Sequence, residues 1–474
     1  MRIIHVSSIK NHPCFSDVVS LQSQRHEIIF ILLILSDDPQ YRILSKYDER
    51  GIKYIHLSVR KDFDFTSDSK LEALFSRIVK AFDPDILHIQ LFAGINARSI
   101  LKASLEHRAK KIITQHIHSL FCLPGVCFDK GKVCPLNSLQ GCSCESCQSA
   151  AQANQWSLSE YNQVRKTRLK EIVSMADVII CCTKWQENTI ERLVGRGSKT
   201  VVLYYGVKIP RRHERKLTLT RLDIEAIGID WKDFVRKVIK HGWGEKVDAI
   251  KIRLHETGPS NNHNPKDVFG GDFKKLMSII NLPLKKKRRK TSVPAFGYIG
   301  TLWDLKGIDI LLDSIKQLSE YDFQILMGVK YDQNSPKDVS QLEKMKEVPQ
   351  IKILPNLWRQ DFYDKFYSQI DYLIIPSVWE ETGPMTLFEA FYFKIPVIIS
   401  NRSSMVEKTM EGVNALVFDN TKSLGVIMRN IIESRVKPVV KSRANFPVKT
   451  LKVYAAELEK IYKGKYPKTA CGSK

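Results

Sequence analysis

The sequence of 474 residues is long enough for two or three domains. Hydrophobic residues make up 43% of it and charged residues 26%, which predicts a globular chain with a sizeable core and argues against intrinsic disorder. The 74 lysines and arginines against 51 acidic residues give a net charge of +23, which favours anionic partners such as phosphorylated small molecules, acidic lipid surfaces or nucleic acid.

The N-terminal part of the chain alternates between apolar runs and helical patterns up to residue 208. Its first segment, MRIIHVSSIK, is typical of a strand and lacks the apolar core of a signal peptide, so we expect a cytosolic protein. The longest apolar run, IIFILLIL at 28–35, is far short of the ~20 residues that cross a membrane. Runs such as EIIFILLIL and DVIICCT are typical of parallel strands buried on both faces. Residues 1–208 are therefore predicted to form a doubly wound, Rossmann-like α/β domain.

A cysteine-rich segment, CLPGVCFDKGKVCPLNSLQGCSCESC, interrupts this domain at 122–147. In a reducing cytosol, clustered thiols favour a metal site over disulfides, and soft thiolates select Zn²⁺ or an iron–sulfur cluster. One CxxC pair is present but the other gaps are irregular, so free thiols and disulfides stay open as alternatives. The candidate ligands of this structural site are Cys122, Cys127, Cys134, Cys142, Cys144 and Cys147.

Residues 209–292 are polar, basic and weakly periodic, and they end in the tract KKKRRK at 285–290. We interpret them as an insertion or linker between two domains. Three interpretations of the positive charge stay open. They are a solvated linker, attraction to an anionic membrane face and, as the least favoured, contact with nucleic acid.

After residue 292 the strand pattern returns, with PAFGYIG, FQILMGV, DYLIIPS and PVIIS among its runs. This pattern predicts a second doubly wound sheet over 293–450. The amphipathic pattern near the end predicts that 451–474 holds a C-terminal helix, which we expect to cross back to the first domain. Two such sheets form a cleft, and ligands bind beyond the carboxyl ends of their strands. The loops after these strands are therefore the predicted location of a site.

The segment EETGPMTLFEAF, at 380–391, follows one of these strands and places Glu381 and Glu389 eight positions apart. Gly383 permits close backbone approach, and Pro384 suits the first turn of a helix whose free N–H groups attract phosphate. Eight helical residues span ~12 Å, which is similar to the length of a sugar, a diphosphate and a ribose together. The two acids are thus candidates for holding sugar hydroxyls at both ends of a nucleotide sugar. Two unrelated surface acids are the alternative.

A second segment, FGYIGTLWDLKGIDILLDSI at 296–315, predicts a strand, a glycine turn and an apolar-periodic helix. Lys306 lies in the turn and is expected near the same cleft. Its ammonium would neutralise a departing diphosphate there. An ordinary exposed lysine is the alternative.

Together these segments resemble the GT-B glycosyltransferases, in particular the retaining group called family 4, or glycosyl transferases group 1. SVWEETGPMTLFEAFYFKIPVIIS is similar to the family's Glu-x7-Glu signature and the strand after it, and GYIGTLWDLKGIDILL is similar to its donor-site Lys-Gly loop. DILHIQ and KIITQHIHSLFC resemble strand ends of its first domain, and LYYGV resembles the segment that leads into the second domain. The resemblance implies two Rossmann-like domains facing each other across a cleft.

The resemblance also implies residue roles. Glu381 would contact the donor sugar and assist catalysis, Glu389 would bind the ribose, and Lys306 would neutralise the phosphates. His116 would approach the donor sugar and the reacting centre, with His118 as a less favoured substitute. The remaining donor-binding residues would be Gly300, Thr301, Gly383, Pro384, Met385 and Thr386.

The chemistry implied is glycosyl transfer with retention of the anomeric configuration and without a required catalytic metal. Three departures from the family pattern bear on activity. The segment SSIKNHPCFSD lacks the glycine-rich turn after the first strand, Thr301 stands where an arginine is frequent, and Ile117 follows His116 where aspartate is frequent. Arg402 is one candidate to replace the missing cation.

The function expected is transfer from a UDP-, GDP- or ADP-sugar to a glycan or lipid-linked acceptor in cell-surface polysaccharide or glycolipid biosynthesis. We expect the protein in the cytoplasm, with peripheral attachment to the cytosolic face of an anionic membrane as an extension of this interpretation. Two alternatives remain. One is a GT-B binding or scaffold protein that has lost turnover and is attached to membrane or nucleic acid through 209–292, and the other is a sugar-nucleotide epimerase.

Overall fold

The structure, a computed structural model, describes residues 1–10, 12, 15–123, 125–129, 132–133, 144–195, 199–207, 218–220, 253–255, 293–355, 365–434 and 448–465. The chain forms two compact units. The first comprises Met1–Ile209, Val293–Leu357 and Ile370–Lys474, and the second comprises Pro210–Ser292 and Trp358–Gln369. Within the first unit we call 1–207 together with 448–465 the first lobe, and 293–355 together with 370–434 the second lobe.

The first lobe is built on an eight-stranded sheet with the order β10-β9-β6-β5-β1-β2-β4-β3. Its strands run parallel except β3, an edge strand antiparallel to β4. A separate short hairpin consists of β7 and β8. The strands are β1 (Arg2–Ser7), β2 (Glu27–Ser36), β3 (Ile43–Glu49), β4 (Ile52–Arg60), β5 (Ile86–Leu91), β6 (Lys110–Gln115), β7 (Phe128–Asp129), β8 (Lys132–Val133), β9 (Val178–Cys181) and β10 (Thr200–Val202).

Helices cover this sheet because each carries one apolar stripe. In Ser69–Phe82, for example, the buried side chains recur at helical spacing, and the Asp68 side chain caps the first turn by accepting a hydrogen bond from the Leu71 amide. Helix Leu158–Met175 starts with a capping box between Ser157 and Glu160. The helices of this part are Ser16–Gln22, Ser69–Phe82, Ala97–Lys102, Glu145–Ala153, Leu158–Met175 and Lys184–Val194.

The basic insertion is described only at β11 (Thr218–Thr220) and β12 (Arg253–His255), which pair in parallel. The tract KKKRRK and the rest of that region lie outside the described residues.

The second lobe is built on a six-stranded parallel sheet with the order β15-β14-β13-β16-β17-β18. The strand order reverses between β13 and β16, which is the point where open α/β sheets bind ligands. The strands are β13 (Ala295–Thr301), β14 (Gln324–Lys330), β15 (Ile351–Pro355), β16 (Tyr372–Ile375), β17 (Val397–Ser400) and β18 (Ala415–Phe418). The helices are Ile308–Lys316, Pro336–Lys346, Met385–Tyr392, Ser403–Val406 and Thr421–Ile432, and Asp304–Lys306 forms a 3₁₀ turn.

The last described helix, Leu451–Tyr462, packs on the first lobe. Val207 and Thr450 form a bridge where the chain returns, and the Tyr462 hydroxyl lies 2.7 Å from Nδ1 of His88 on β5. Its buried side chains Leu458 and Ile461 belong to the core of that lobe. The mainly parallel sheet of the first lobe and the parallel sheet of the second confirm the predicted pair of Rossmann-like domains. Among the residues described, none of the helices combines the length and apolarity that a membrane crossing requires.

Candidate active site

The structure brings together two of the predicted site residues in a direct ion pair. Nζ of Lys306 lies 2.6 Å from Oε1 of Glu381, and the Ser377 hydroxyl donates a hydrogen bond of 2.6 Å to the same oxygen. The Glu381 side chain is 5% exposed and that of Lys306 is 26% exposed. Lys306 follows β13 and Glu381 follows β16, so the pair stands at the point where the strand order reverses.

Local backbone geometry explains how the two loops meet. Gly307 has φ +67°, and a Cβ there would lie 1.9 Å from the carbonyl oxygen of Pro376. Only glycine allows so close an approach. The Val378 amide also donates to the Leu305 carbonyl at 3.0 Å, which joins the turn around Lys306 to the loop after β16.

The Gly383–Pro384 turn introduces helix Met385–Tyr392, of which Pro384 is the N-cap residue. Gly383 has φ +126°, and a Cβ there would lie 3.0 Å from the Tyr205 ring of the first lobe. Met385 and Thr386 form the first turn, where backbone N–H groups are available for an anion. The predicted phosphate cradle is thus a turn packed against the first lobe.

Glu389 lies on that same helix and is buried, with 5% exposure. Its neighbour Phe388 packs into the core of the first lobe. Glu389 thus stands on the helix that begins after the Gly383–Pro384 turn.

Thr301 and Arg402 each carry an unpartnered buried atom in the part of the chain that the structure describes. Thr301 ends β13, and its Oγ1 lacks a hydrogen-bond partner, as does Nε of Arg402, which follows β17. Gly300 precedes Thr301, whose carbonyl accepts a hydrogen bond of 2.7 Å from the Tyr298 hydroxyl. Burial and the nearby Glu381 carboxylate raise the pKa of Tyr298, so this hydroxyl stays protonated. Unsatisfied buried polar atoms are uncommon in folded proteins.

His116 is engaged through both of its ring nitrogens. Its Nε2 donates to Oε1 of Gln90 at 2.7 Å, and its Nδ1 accepts from the Tyr205 hydroxyl at 2.7 Å. The rings of Phe92 and Tyr205 lie nearly parallel to that of His116, at centroid distances of 4.8 and 5.8 Å. Burial lowers the pKa of His116 well below its usual value, so the ring is neutral. A role at the donor sugar, as the resemblance implies, would require His116 to give up one of these bonds.

His118, which the sequence analysis ranked behind His116, makes a contact between the two lobes. Its Nε2 donates to the Glu380 carbonyl at 2.7 Å, directly before Glu381. Burial lowers the pKa of His118 to about 4. The sequence signal for this contact was a second histidine at the same strand end.

Glu380 and Glu407 are two further acids of the site region that sequence reasoning missed. Oε2 of Glu380 accepts from the Ser404 amide at 3.0 Å. Glu407 accepts from the Lys184 and Trp185 amides at 3.0 and 3.2 Å, so it caps the first turn of helix Lys184–Val194 from the other lobe. Glu380 had a sequence signal as the direct neighbour of Glu381, whereas nothing in the local sequence distinguished Glu407.

The cysteine cluster is only partly described. Cys122, Cys127, Cys144 and Cys147 are buried and are not joined by disulfides within the described part of the chain, whereas Cys134 and Cys142 lie outside the described residues. The Cys127 amide donates to Sγ of Cys122 at 3.1 Å, and a hydrogen bond from the Cys127 side chain lowers the pKa of Cys122. Where the structure describes the chain, it shows no cluster of three or more potential metal ligands. The structural metal site therefore stays a prediction.

Comparison with known proteins places similar chains on the same fold. A sucrose-phosphate synthase from Thermosynechococcus elongatus is 12% identical with a TM-score of 0.58, and 98% of each chain is covered. Alr3699/HepE of Anabaena, solved in complex with UDP and glucose, is 13% identical with a TM-score of 0.53, and the alignment covers 98% of this chain and all of that one.

Sequence relatives share shorter stretches. Granule-bound starch synthase 1 of Pisum sativum is 28% identical over 214 residues, which are 45% of this chain and 33% of the relative. Glycogen synthase of Chlorobaculum parvum is 29% identical over 130 residues, which are 27% of this chain and 24% of that enzyme. The chain thus spans about a third or less of the length of these relatives.

The sequence models of two protein families match the chain, one in each half. Residues 18–211 match Glycosyltransferase Family 4, and residues 283–446 match Glycosyl transferases group 1. The second match contains Lys306, Glu381 and Glu389, and the first contains His116 and His118. The chain therefore belongs to the GT-B glycosyltransferases of the family 4 type.

Proposed function

We propose that this protein transfers a sugar, with retention of configuration, from a nucleotide-sugar donor to a glycan or lipid-linked acceptor. The observation that carries the proposal is the 2.6 Å contact of Lys306 with Glu381 at the point where the second sheet reverses its strand order. A buried acid beside a partly exposed ammonium supplies an acceptor for sugar hydroxyls next to a cation for phosphate.

In the proposed reaction, Lys306 neutralises the diphosphate, and the first N–H groups of helix Met385–Tyr392 hold its oxygens. The bond between the anomeric carbon and the phosphate oxygen breaks while the acceptor oxygen bonds to the same face of that carbon. The acceptor proton passes to the leaving phosphate oxygen. The role of Glu381 is to hold the sugar and the ammonium in register. We further propose that no metal is required, because Lys306 and the helix already provide positive charge.

For the donor, we propose a nucleoside diphosphate sugar, and the UDP-bound Anabaena structure makes uridine the first base to test. The acceptor would be a glycan or a lipid-linked sugar used in building cell-surface polysaccharide or glycolipid. The net charge of +23 supports an anionic acceptor or peripheral attachment to an anionic membrane face.

The experiment is release of nucleoside diphosphate from a panel of UDP-, GDP- and ADP-sugars, with and without EDTA. We expect turnover of at least one donor, no loss with EDTA, and a drop of about 10²–10³-fold in Glu381→Gln. Glu343→Gln is the matched control, because Glu343 is an exposed helical acid paired with Lys346. Absence of turnover across the panel, with or without binding, would overturn the proposal.

A non-catalytic binding protein is the second candidate, because both ring nitrogens of His116 are already engaged. In that case a nucleotide sugar binds without turnover, and Glu381→Gln leaves partner binding unchanged. An epimerase would instead yield a changed nucleotide sugar without any acceptor.

A further inference from the structure

His118 is a first-lobe side chain that contacts the loop carrying Glu381. It follows β6 by three residues, and its Nε2 lies 2.7 Å from the carbonyl oxygen of Glu380. That carbonyl belongs to the peptide group whose nitrogen is the amide of Glu381. Because the peptide group is planar, fixing the carbonyl also fixes the start of the Glu381 residue.

The proton on His118 is assigned by its neighbours. The Glu380 carbonyl accepts only, so Nε2 carries the hydrogen and donates it. Oε1 of Gln186 accepts from the Cys182 amide at 2.8 Å, which turns the amide nitrogen of Gln186 toward Nδ1 of His118 at 3.3 Å. Both ring nitrogens are therefore matched to a partner of the opposite kind, and this match holds the ring in one orientation.

Packing restricts the ring further. His118 is fully buried, and its ring lies edge-on to Trp185 and Trp379 with centroid distances of 4.8 and 5.8 Å. Phe121 lies nearly parallel to it at 5.6 Å. Trp379 precedes Glu380, so the same histidine contacts two successive residues of the loop before Glu381.

The Glu381 side chain is held from the other side. Ser377 and Lys306, both of the second lobe, contact its carboxylate at 2.6 Å. The second lobe therefore fixes the carboxylate, and the first lobe fixes the backbone that carries it.

We propose that His118, from the first lobe, is a positioning residue that holds Glu381 of the second lobe in register with Lys306. This inference rests on the proposed function for its catalytic consequence, although its structural consequence can be measured separately. His118 acts through the backbone of Glu380 and would not contact the donor.

The test compares His118→Gln with His118→Asn. The glutamine amide nitrogen reaches about as far as Nε2 of histidine, whereas the asparagine amide nitrogen reaches only as far as Nδ1. Both variants lose the packing of the ring, but only glutamine keeps a donor for the Glu380 carbonyl. We expect donor turnover within about 3-fold of the wild type in His118→Gln and a kcat about 10-fold lower in His118→Asn, with the donor KM changed by less than about 3-fold.

Two further readouts separate positioning from general damage. In a Glu381→Gln background, the asparagine substitution should cause no additional loss, because the two residues act as one unit. Hydrogen exchange of the segment around 378–383 should be faster in His118→Asn than in His118→Gln, whether or not a donor has been found. Equal exchange in the two variants would overturn the inference.

The two proposals fail in different ways. A wild type without binding or turnover, combined with the expected difference in exchange, rejects the glycosyl transfer and retains the backbone contact. A wild type with turnover, combined with equal losses in both His118 variants, rejects positioning and retains glycosyl transfer.

Discussion

The buried histidines of the first lobe and the partly buried ion pair of the second lobe hold their polar groups in opposite ways. His5, His88 and His116 are joined through Gln90 and are neutral, because burial lowers the pKa of each one. Lys306 and Glu381 instead form an ion pair, and Glu381 lies just before the turn that leads into helix Met385–Tyr392. We therefore interpret the histidine network as structural and propose charge stabilisation for the ion pair.

Loss of the Lys306 charge is expected to have the largest effect. In Lys306→Met, transfer should fall by about 10²–10³-fold, because a preorganised charge at a leaving group contributes about 3–4 kcal/mol. Lys316→Met is the matched control, since Lys316 lies on the following helix and is 70% exposed. The measurement is steady-state donor turnover, and equal rates in the two variants would remove Lys306 from the chemistry.

Acid should destabilise the histidine network of the first lobe. The pKa of His5 falls from 6.5 to about 4 on burial, so the unfolded chain binds more protons than the folded one between these values. This stability is present above pH 6.5 and is lost as the pH falls toward 4. We expect His5 to account for about 2 kcal/mol of the unfolding free energy lost between pH 7 and pH 5.

Urea unfolding at a series of pH values measures this loss. The variant His5→Gln, which cannot titrate, should show a smaller dependence on pH over the same range than the wild type. If the wild type keeps its full unfolding free energy at pH 5, the interpretation of these histidines as buried and neutral is wrong.

The contact of Gly307 with Pro376 should have the next largest effect. Gly307→Ala and Gly51→Ala both place alanine at a left-handed φ, +67° and +76°, which costs about 1 kcal/mol. A Cβ at position 307 would lie 1.9 Å from a carbonyl oxygen, whereas no atom of the described residues lies within 4 Å of a Cβ at position 51. We expect Gly307→Ala to lose about 2 kcal/mol more unfolding free energy than its control and to weaken nucleotide binding. Equal losses would mean that the two loops do not need this approach.

Removal of the Glu407 cap should have the smallest effect. Glu407→Gln keeps an oxygen for the helix Lys184–Val194 but loses the negative charge at its N-terminus and beside Lys408. We expect the free energy of unfolding, measured by thermal unfolding, to fall by about 1 kcal/mol. Glu411→Gln, an exposed acid nearby, provides the control. An unchanged unfolding temperature would show that the cap does not stabilise the junction of the lobes.

The sequence predicted the strands whose residues are buried on both faces, because such strands leave long apolar runs. It missed β3, the antiparallel edge strand Ile43–Glu49, whose residues are mostly exposed and show no clear period. The proximity of Lys306 to Glu381 could be predicted, because both residues lie in loops that follow parallel strands at the same edge of one sheet. The Glu407 cap did not follow, because it joins residues more than two hundred positions apart without a local signal.

His116 and His118 show the same limit of prediction from sequence, at the level of single side chains. The pattern after β6 identified a strand end carrying His116 and His118, but hydrogen-bond partners alone distinguish the two. His116 is engaged within the first lobe by Gln90 and Tyr205, and His118 reaches the loop of the second lobe. The order in which sequence reasoning ranked them stays a prediction that donor turnover in variants of each can test.

A crystal structure of the protein with a nucleoside diphosphate sugar would show directly whether the donor binds at Lys306 and Glu381. We expect diphosphate oxygens within about 3 Å of Nζ of Lys306 and beside the first N–H groups of helix Met385–Tyr392, with the sugar against Glu381. A nucleotide bound elsewhere, with Lys306 and Glu381 still joined and untouched by the ligand, would contradict it.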